Sequence, residues 1–534
     1  MGSCSLRWVG FSRGANVELG TRQRCRSCVR NFCTYCIQPT LSGNPTYFNG
    51  LAIVTITSSE LHGHWLLPEP YLSFDPTDTN QVAVNPLMGL QEFGPFSSRV
   101  SGTYSDKLKI ALLAPANDLQ RLRTHLNELV HPQDPKERHS YLPKWPGFEA
   151  VFRMKLAPAD DSAQIPLSAT LDEELRTASN PRQHLAQALI DGLRKLDLVR
   201  DRFDVVVFYL PQRFQPLFED TDSDFDLHDT LKAVAAQLGL TTQIVTDGAL
   251  TYRCRASVAW RFGTALYAKA GWIPWKLDTG RLPLDVDSAY IGLSYALRTT
   301  SDGATAFVTC CSQVFDADGG GMEFVAYEVG KGTDPRNPYL TREDMRLVMA
   351  RSLALYQDRH SGRSPRELVV HKQTPFQPQE VAGCNDAWGA TSNLSCINIT
   401  RPPWRGVALD APKKGDKKGV PAYALARGTA FQLDGRSVLV WIGGNAPGAT
   451  LTGQDNFFQG GKGIPRPLLL TRDAGAGPLD YVAAQVMGLS KMDWNNDALY
   501  GGLPCTLQYA KVLARTIKHM PDLAPRPYDY RYFM

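Results

Sequence analysis

Between residues 107 and 270 the sequence alternates short apolar runs with amphipathic stretches. The apolar runs are KLKIALLAP (107–115), FDVVVFYLP (203–211) and TQIVT (242–246). Their length and composition are typical of buried strands. The stretches between them repeat leucine at three- and four-residue intervals, the spacing of a helix that packs one face on a core. Strands that alternate with helices form a parallel sheet, so this segment predicts a doubly wound α/β domain.

Helices are predicted between these strands. The first carries Leu119, Leu122, Leu126 and Leu129 on one face. The second follows Asn180, a good capping residue, with Pro181 at its first position. The third covers about 226–238 and ends at Gly239. Residues 65–97 are predicted to be irregular, and the proline-rich stretch 132–165 is predicted to be a linker.

The pattern changes after residue 285. SAYIGLSYAL, TAFVTCCSQVF and MEFVAYEVG predict three successive antiparallel strands. A helix (341–357), a strand (367–373), a hairpin (422–443) and two helices (478–488 and 504–518) are predicted to follow. The chain is therefore divided into a basic N-terminal extension, predicted to be flexible (1–62), a first α/β region (63–284) and a second α/β domain with a mixed sheet (285–534).

Charge and composition narrow the function classes. Residues 1–40 hold six arginines and one glutamate, while the whole chain of 534 residues has a net charge of +4. The rest of the chain is therefore nearly neutral, and nucleic-acid binding would require local basic patches. No uncharged apolar run reaches 18 residues and no secretory leader is evident, so no membrane segment is predicted. Eleven cysteines are few for this length, which favours a reducing, cytoplasmic location.

Four polar residues have a spacing that could bind a phosphate joined to a base. His228 and Lys232 lie one helical turn apart, Gln243 is on the next strand, and Lys269 ends the following helix. Lysines neutralise phosphate charge, an amide donates a hydrogen bond, and an imidazole stacks on a base. The alternative is four unrelated surface residues, and the spacing alone favours that alternative.

A family resemblance favours the phosphate site. HDTLK, TTQIV and YAKAGWIPWKL follow the order of the guide-binding pocket in the MID domain of Argonaute proteins. AYIGLSYAL, CCSQVFDADGGGMEFVAYE, ELVVHKQTPF, GLSKMDWNND and LPCTLQYAKVLAR follow the order of an Argonaute PIWI domain. The resemblance covers about residues 65–534 and leaves no room for separate N and PAZ domains. The chain most resembles a short prokaryotic Argonaute, which implies a Rossmann-like MID domain followed by a ribonuclease H-like PIWI domain.

The resemblance also implies residue roles. His228 would stack on the first guide base, and Lys232, Gln243 and Lys269 would bind the guide 5′-phosphate. A further basic residue of the family is replaced by Ala265, and Arg261, one turn earlier, is a candidate substitute. The terminal carboxylate of Met534 is a candidate ligand for Mg²⁺ beside the guide phosphate. A buried apolar chain end is the equally favoured alternative.

The same resemblance implies that the nuclease site is lost. The family's three catalytic carboxylate positions correspond to Ser294, Gln373 and Lys511. Two neutral side chains and an ammonium group cannot hold the two metal ions that cut a phosphodiester. Asp316 and Asp318 lie in a glycine-rich turn and are interpreted as turn-forming residues. His360 and His371 have no partners that the sequence defines.

The sequence leads to three hypotheses about function. The first is guide-directed recognition, with a guide RNA, a single-stranded DNA target and an effector protein as partners. By resemblance, that effector carries a PAZ-like analogue fused to a TIR, sirtuin-like NAD-consuming or nuclease domain, and it acts in defence against plasmids or phages. The second is a guide-dependent endonuclease with unusual metal ligands. The third is a zinc-dependent binding protein.

The zinc hypothesis depends on CRSCVRNFCTYC. Cys25, Cys28, Cys33 and Cys36 supply four thiolates, but only four residues separate the two pairs. Structural zinc sites usually separate such pairs by about 15–20 residues. Zinc is therefore disfavoured, and a basic arm that touches nucleic acid, or a translated leader, are the alternatives.

Overall fold

The computed structural model describes most of the chain after residue 62. The described ranges are 63–100, 104–220, 225–282, 285, 287–299, 305–328, 339–389, 392–409, 422–446, 448–451, 464–495, 498–519 and 527–534. Ahead of them it describes three strands, Ser5–Trp8, Thr46–Phe48 and Leu51–Thr57. The four cysteines of the zinc hypothesis lie outside the described residues.

A parallel sheet forms the centre of the first region. Its strands are β1 (Lys107–Pro115), β2 (Lys155–Pro158), β3 (Gln164–Leu167), β4 (Val205–Leu210) and β5 (Thr242–Thr246). The order is β5-β4-β1, and β2 and β3 pair with successive halves of the outer edge of β1. All of these pairings are parallel. The doubly wound prediction is confirmed, but the linker prediction for 132–165 is wrong because that stretch supplies β2 and the start of β3.

Four helices cover this sheet. They are α1 (Leu119–Glu128), α2 (Pro181–Asp197), α3 (Leu227–Leu238) and α4 (Arg255–Lys269). Shorter helices cover Phe148–Phe152, Leu171–Thr177 and Asp247–Thr251. The predicted ends are confirmed: the Asn180 side chain accepts from the Gln183 amide at 3.1 Å, and Gly239 ends α3 with a φ of 72°. Glycine adopts that left-handed conformation without a steric penalty.

The segment 63–100 is ordered around short elements rather than irregular as predicted. Helix Pro86–Phe93 begins after Asn85, whose side chain accepts from the Leu87 amide at 3.0 Å. Strands Leu72–Ser73, Val82–Ala83 and Lys276–Leu277 form a small sheet. The buried Glu69 carboxylate accepts from Arg427 at 2.9 Å and from Lys491 at 3.0 Å. This ion triad fixes the segment to the second domain.

The second domain is built on a ten-stranded mixed sheet. Nine of its strands are β6 (Ser288–Thr299), β7 (Thr305–Asp316), β8 (Gly321–Glu328), β9 (Glu367–Lys372), β10 (Asn393–Thr400), β11 (Thr429–Gln432), β12 (Ser437–Val440), β13 (Leu468–Ala474) and β14 (Pro527–Asp529). The order is β14-β8-β7-β6-β9-β10-β13-β12-β11, and His64–Leu66 completes the edge. β6, β7 and β8 form the predicted antiparallel meander, and β6, β9 and β10 are parallel. This is the ribonuclease H-like arrangement that was predicted.

Helices lie on both faces of the mixed sheet. They are α5 (Arg342–Arg359), α6 (Pro378–Trp388), α7 (Leu479–Leu489) and α8 (Cys505–His519). α8 crosses β6 so closely that a Cβ at Gly292 would lie 2.1 Å from the Thr506 carbonyl oxygen. Two further strands, Gly406–Leu409 and Ala422–Ala424, extend the sheet of Ser5–Trp8. Across the described part of the chain, no helix combines the length and apolar character needed to span a bilayer.

Candidate functional site

A cleft of about 930 Å³ lies between the two domains. Its walls come from α3, β5 and α4 of the first domain and from α8 and the chain end of the second. Six predicted site residues line it: His228, Lys232, Gln243, Arg261, Lys269 and Met534. The structure therefore brings together residues that are more than 300 positions apart in sequence. The ligand assigned to them stays a prediction.

Both lysines of the cleft are buried. The side chains of Lys232 and Lys269 are 3% and 2% exposed. Their ammonium groups donate to the same acceptor, the Thr242 carbonyl oxygen, at 3.1 and 2.9 Å. Lys269 also donates to the Gln243 side-chain oxygen, and Lys232 to the main-chain oxygen of Met534, both at 2.5 Å. The interpretation as unrelated surface residues is therefore wrong for these two lysines.

The local sequence explains how the lysines reach this position. The Asp226 carboxylate accepts from the Asp229 amide at 2.9 Å and starts α3. Leu227 and Leu231 then bury one side of the helix against α2. This leaves Lys232 on the side that faces β5 and the chain end. On α4, Ala265 lies one turn before Lys269 on the cleft face, and its small side chain leaves space in front of the ammonium group.

Burial is the largest influence on the electrostatics of both lysines, and the nearby Asp229 carboxylate offsets part of it for Lys232. Burial lowers the pKa of Lys232 to about 8. It also lowers the pKa of Lys269 well below its usual value, and the neighbouring Lys232 lowers it further. Among the described residues, no side-chain carboxylate forms an ion pair with either lysine. An amine whose pKa is lowered by burial has its pKa raised again, and so keeps its proton and positive charge, when an anion binds beside it. The cleft is therefore preorganised for an anion.

His228 lies at the mouth of the cleft, with its side chain 46% exposed. Its Nδ1 is 3.1 Å from an Asp229 carboxylate oxygen. The other oxygen of Asp229 pairs with Arg515 Nε of α8 at 2.9 Å. Asp229 thus fixes the imidazole in place and leaves the ring available to stack on a planar ligand. Arg515 also lines the cleft, a contribution that sequence reasoning missed because nothing local connects α8 with α3.

Arg261 supplies a further cation. It lies two turns before Lys269 on α4, lines the cleft and is exposed. None of the described carboxylates pairs with it. The guanidinium can therefore serve as the substitute for the basic residue that Ala265 replaces. Together Lys232, Arg261, Lys269 and Arg515 place four cationic side chains around one cavity.

The donor atoms of the cleft fit a divalent cation poorly. The Met534 main-chain oxygen and the Gln243 side-chain oxygen each accept from a lysine ammonium at 2.5 Å. Asp226, His228 and Asp229 have ligand atoms within 4.8 Å of one another. However, the Asp226 carboxylate caps α3 and Asp229 pairs with Arg515. Mg²⁺ prefers hard oxygen ligands, and the Met534 and Gln243 oxygens already accept from lysine ammonium groups. Mg²⁺ at Met534 stays a prediction.

Three positions are predicted from the resemblance to have lost nuclease carboxylates, and they lie on β6, after β9 and on α8. Gly292 of β6 pairs with His371 of β9 in parallel register. Ser294 lies two residues further along β6, on the same face of the strand as Gly292, and Gln373 directly follows β9. Lys511 lies on α8 and is exposed. These positions carry a hydroxyl, an amide and an ammonium group.

The two histidines without partners defined by the sequence have partners in the structure. His371 is fully buried with Nδ1 2.9 Å from the Thr506 hydroxyl, and burial lowers its pKa to about 3. His360 pairs with Asp316 at 3.1 Å and stacks on the Tyr356 ring. Asp318 accepts from the Gly320 amide at 2.9 Å, which confirms its turn-forming role. Both histidines are structural.

The chain is similar to known proteins in its three-dimensional structure. No protein-family model matches the sequence, and no curated protein matches it. Clostridium butyricum Argonaute, solved with a guide DNA and a 19-mer target DNA, superposes with a TM-score of 0.59 at 15% identity over 91% of this chain. Argonaute from A. aeolicus gives 0.55 at 16% identity over 91%. Drosophila Piwi gives 0.56 at 15% identity over 90%.

These matches establish the fold. The first region and the second domain together have the MID–PIWI fold of Argonaute proteins, as predicted. The chain spans 57% of the length of each of these three structures.

Proposed function

We propose that this chain binds the 5′-phosphorylated end of a guide strand and uses that guide to recognise a complementary target. The observation that carries the proposal is the pair of buried lysines in the cleft, neither of which forms an ion pair with a described side-chain carboxylate. A terminal phosphate offers two negative charges and several acceptor oxygens to Lys232 and Lys269. Gln243 and Arg261 add donors, and the exposed ring of His228 is positioned to stack on the first base.

The fold supports this assignment. The C. butyricum Argonaute of the same fold is described as bound to a guide DNA and a target DNA. We propose that the present chain holds its guide in the corresponding cleft, so that base pairing supplies sequence specificity while the protein contacts the backbone. A guide RNA and a single-stranded DNA target are the partners proposed from the resemblance to short prokaryotic Argonautes.

We further propose that the chain does not cut its target. Cleavage by two metal ions needs carboxylate oxygens that clamp the attacking and leaving groups. Ser294 and Gln373 offer neutral oxygens, and Lys511 would repel a cation. Recognition would then be reported to an associated effector protein with a PAZ-like analogue. The proposed effector is a TIR, sirtuin-like NAD-consuming or nuclease protein acting in plasmid or phage defence in the cytoplasm.

The direct test compares guides that differ only at the 5′ end. The purified chain is titrated with a fluorescent 5′-phosphorylated guide and with its 5′-hydroxyl counterpart, as RNA and as DNA. We expect the phosphorylated guide to bind at least about tenfold more tightly, the scale of one charge-assisted hydrogen bond. Equal affinities would refute the proposal. Incubation with guide, matched target and Mg²⁺ or Mn²⁺ should leave the target intact, and any guide-dependent cut would favour the endonuclease.

A further inference from the structure

The cleft between the two domains holds more positive charge than one terminal phosphate can neutralise. Its volume is about 930 Å³, and five cationic side chains line it: Arg138, Lys232, Arg261, Lys269 and Arg515. Among the described lining residues, Glu137 is the one side-chain carboxylate. The lining therefore has a clear excess of cations over anions.

Two of these five cations form ion pairs with carboxylates. Arg138 Nε lies 3.2 Å from a Glu137 oxygen, and Arg515 Nε lies 2.9 Å from an Asp229 oxygen. Among the described side-chain carboxylates, none forms an ion pair with the other three cations, which are Lys232, Arg261 and Lys269. A terminal monophosphate carries about −1.5 to −2 charges at neutral pH. Three cations without an ion-pair partner can therefore bind more negative charge than a monophosphate supplies.

Two of the three cations are separated along α4. Arg261 and Lys269 are eight residues apart, so about 12 Å of helix axis lies between them. Side chains on a helix lean towards its N-terminus, so both lean the same way and this separation is kept. Ala265 lies midway between them and lines the cleft, and its side chain ends at Cβ. The cleft therefore has open space between the Lys269 ammonium group and the Arg261 guanidinium.

We infer that the cleft accepts guides whose 5′ end is a polyphosphate, and that a 5′-triphosphate RNA fits it better than a 5′-monophosphate RNA. This inference rests on the proposed function. The phosphate next to the first nucleoside stays between Lys232 and Lys269, and the outer phosphoryl groups extend over Ala265 towards Arg261. Each added phosphoryl group brings a further negative charge, so the charge of the ligand then matches that of the three cations.

The chemistry of the 5′ end indicates how such guides arise. A 5′-triphosphate marks an RNA end at which a polymerase started, whereas cleavage by a nuclease leaves a monophosphate or a hydroxyl. The reaction that supplies the preferred guide is therefore transcription initiation without later trimming of the 5′ end. An internucleotide phosphate of the guide is the other source of a phosphoryl group for Arg261, and the experiment separates the two.

The test compares RNA guides of one sequence with a 5′-hydroxyl, a 5′-monophosphate or a 5′-triphosphate. A fourth guide carries a 5′-monophosphate and a 3′-phosphate, which adds charge away from the 5′ end. Dissociation constants are measured by fluorescence competition in EDTA, because Mg²⁺ would neutralise the triphosphate. The wild-type chain is compared with Arg261→Ala and with Arg253→Ala, which removes an exposed arginine outside the cleft lining. Circular dichroism checks that both variants fold.

We expect the triphosphate guide to bind the wild-type chain about tenfold more tightly than the monophosphate guide, the scale of one further charge-assisted hydrogen bond. The 3′-phosphate should add less than about twofold, because solvent screens a distant exposed charge. Arg261→Ala should remove most of the triphosphate advantage, and Arg253→Ala should keep it.

Two results would overturn the inference and leave the proposed function standing. In the first, the triphosphate guide binds no more tightly than the monophosphate guide. In the second, Arg261→Ala weakens both guides by the same factor, which would place an internucleotide phosphate at that guanidinium. A wild-type chain that binds no guide, or that binds all three 5′ ends equally, would refute both the inference and the proposed function.

Discussion

Positive charge is held in two different ways in this molecule: it is buried at the cleft lysines and exposed at Arg401, Arg466 and Lys511 of the second domain. In the cleft, Lys232 and Lys269 are buried at 3% and 2% exposure and share the Thr242 carbonyl oxygen. Arg401, Arg466 and Lys511, by contrast, are exposed. A buried ammonium group costs the free protein stability and interacts strongly with a bound anion, because little water screens it. An exposed one costs little and contributes mainly through counterion release. The buried lysines are therefore expected to discriminate between anions, whereas the exposed cations are not.

The largest expected effect comes from removing a buried lysine of the cleft. Lys232→Ala or Lys269→Ala should weaken binding of a 5′-phosphorylated guide by roughly 1.5–3 kcal/mol, because each loses a charge-assisted hydrogen bond in a desolvated site. That corresponds to roughly 10–150-fold in the dissociation constant measured by fluorescence titration. Lys195→Ala, which removes an exposed lysine on α2, is the matched control. Equal losses for 5′-phosphate and 5′-hydroxyl guides would contradict the pocket assignment.

The next effect is a pH dependence of guide binding that the buried lysines of the cleft should produce and the three exposed cations should not. The Lys232 pKa of about 8 means that the free protein loses this positive charge as the pH rises through that value. Phosphate binding needs the ammonium form, so the complex must take up a proton above pH 8. Affinity should therefore fall by up to about tenfold per pH unit there, for each proton taken up.

Lys269, whose pKa is also depressed, adds to this slope wherever it takes up a proton on binding. The measurement is the dissociation constant of the 5′-phosphorylated guide between pH 6.5 and 9.5. The 5′-hydroxyl guide is the control and should show no such slope. A flat profile for both guides would show that neither lysine changes protonation on binding.

A smaller effect concerns stability. Lys269→Met should stabilise the unliganded chain by about 1 kcal/mol, because it removes a buried amine that is repelled by Lys232. The Thr242 carbonyl oxygen keeps Lys232 as its donor, and the acceptor that loses its donor is the half-buried Gln243 side-chain oxygen. Denaturant unfolding with and without guide gives the measurement. Lys195→Met should change stability by less than about 0.5 kcal/mol. A destabilised Lys269→Met variant would indicate a structural role for Lys269, and the free-energy cost that distinguishes the buried lysines from exposed cations would then be absent.

The sequence predicted the long helices and strands, and which residues line the cleft, better than it predicted which side chains are buried. β1, β4 and β5 are apolar runs, and their parallel order follows from the helices between them. β2 and β3 were missed because KLAP and QIPL are four residues long and contain proline, so their strand conformation depends on pairing with β1. Lysine is ordinarily a surface residue, so the sequence gives no local sign that Lys232 and Lys269 are buried. That burial is created by the chain end and by α8, which are distant in sequence.

The smallest expected effect concerns divalent cations in the cleft. Here the Met534 and Gln243 oxygens each accept from a lysine at 2.5 Å, so ammonium groups stand where a cation would be coordinated. We therefore expect removal of divalent cations with EDTA to change affinity for a 5′-phosphorylated guide by less than about threefold, below 1 kcal/mol. Lys232→Ala opens the Met534 oxygen, and Mg²⁺ should then restore part of the lost affinity, since hard cations bind such oxygens. A large EDTA effect on the wild-type chain, with none on Lys232→Ala, would reverse this assignment and place a metal ion in the cleft.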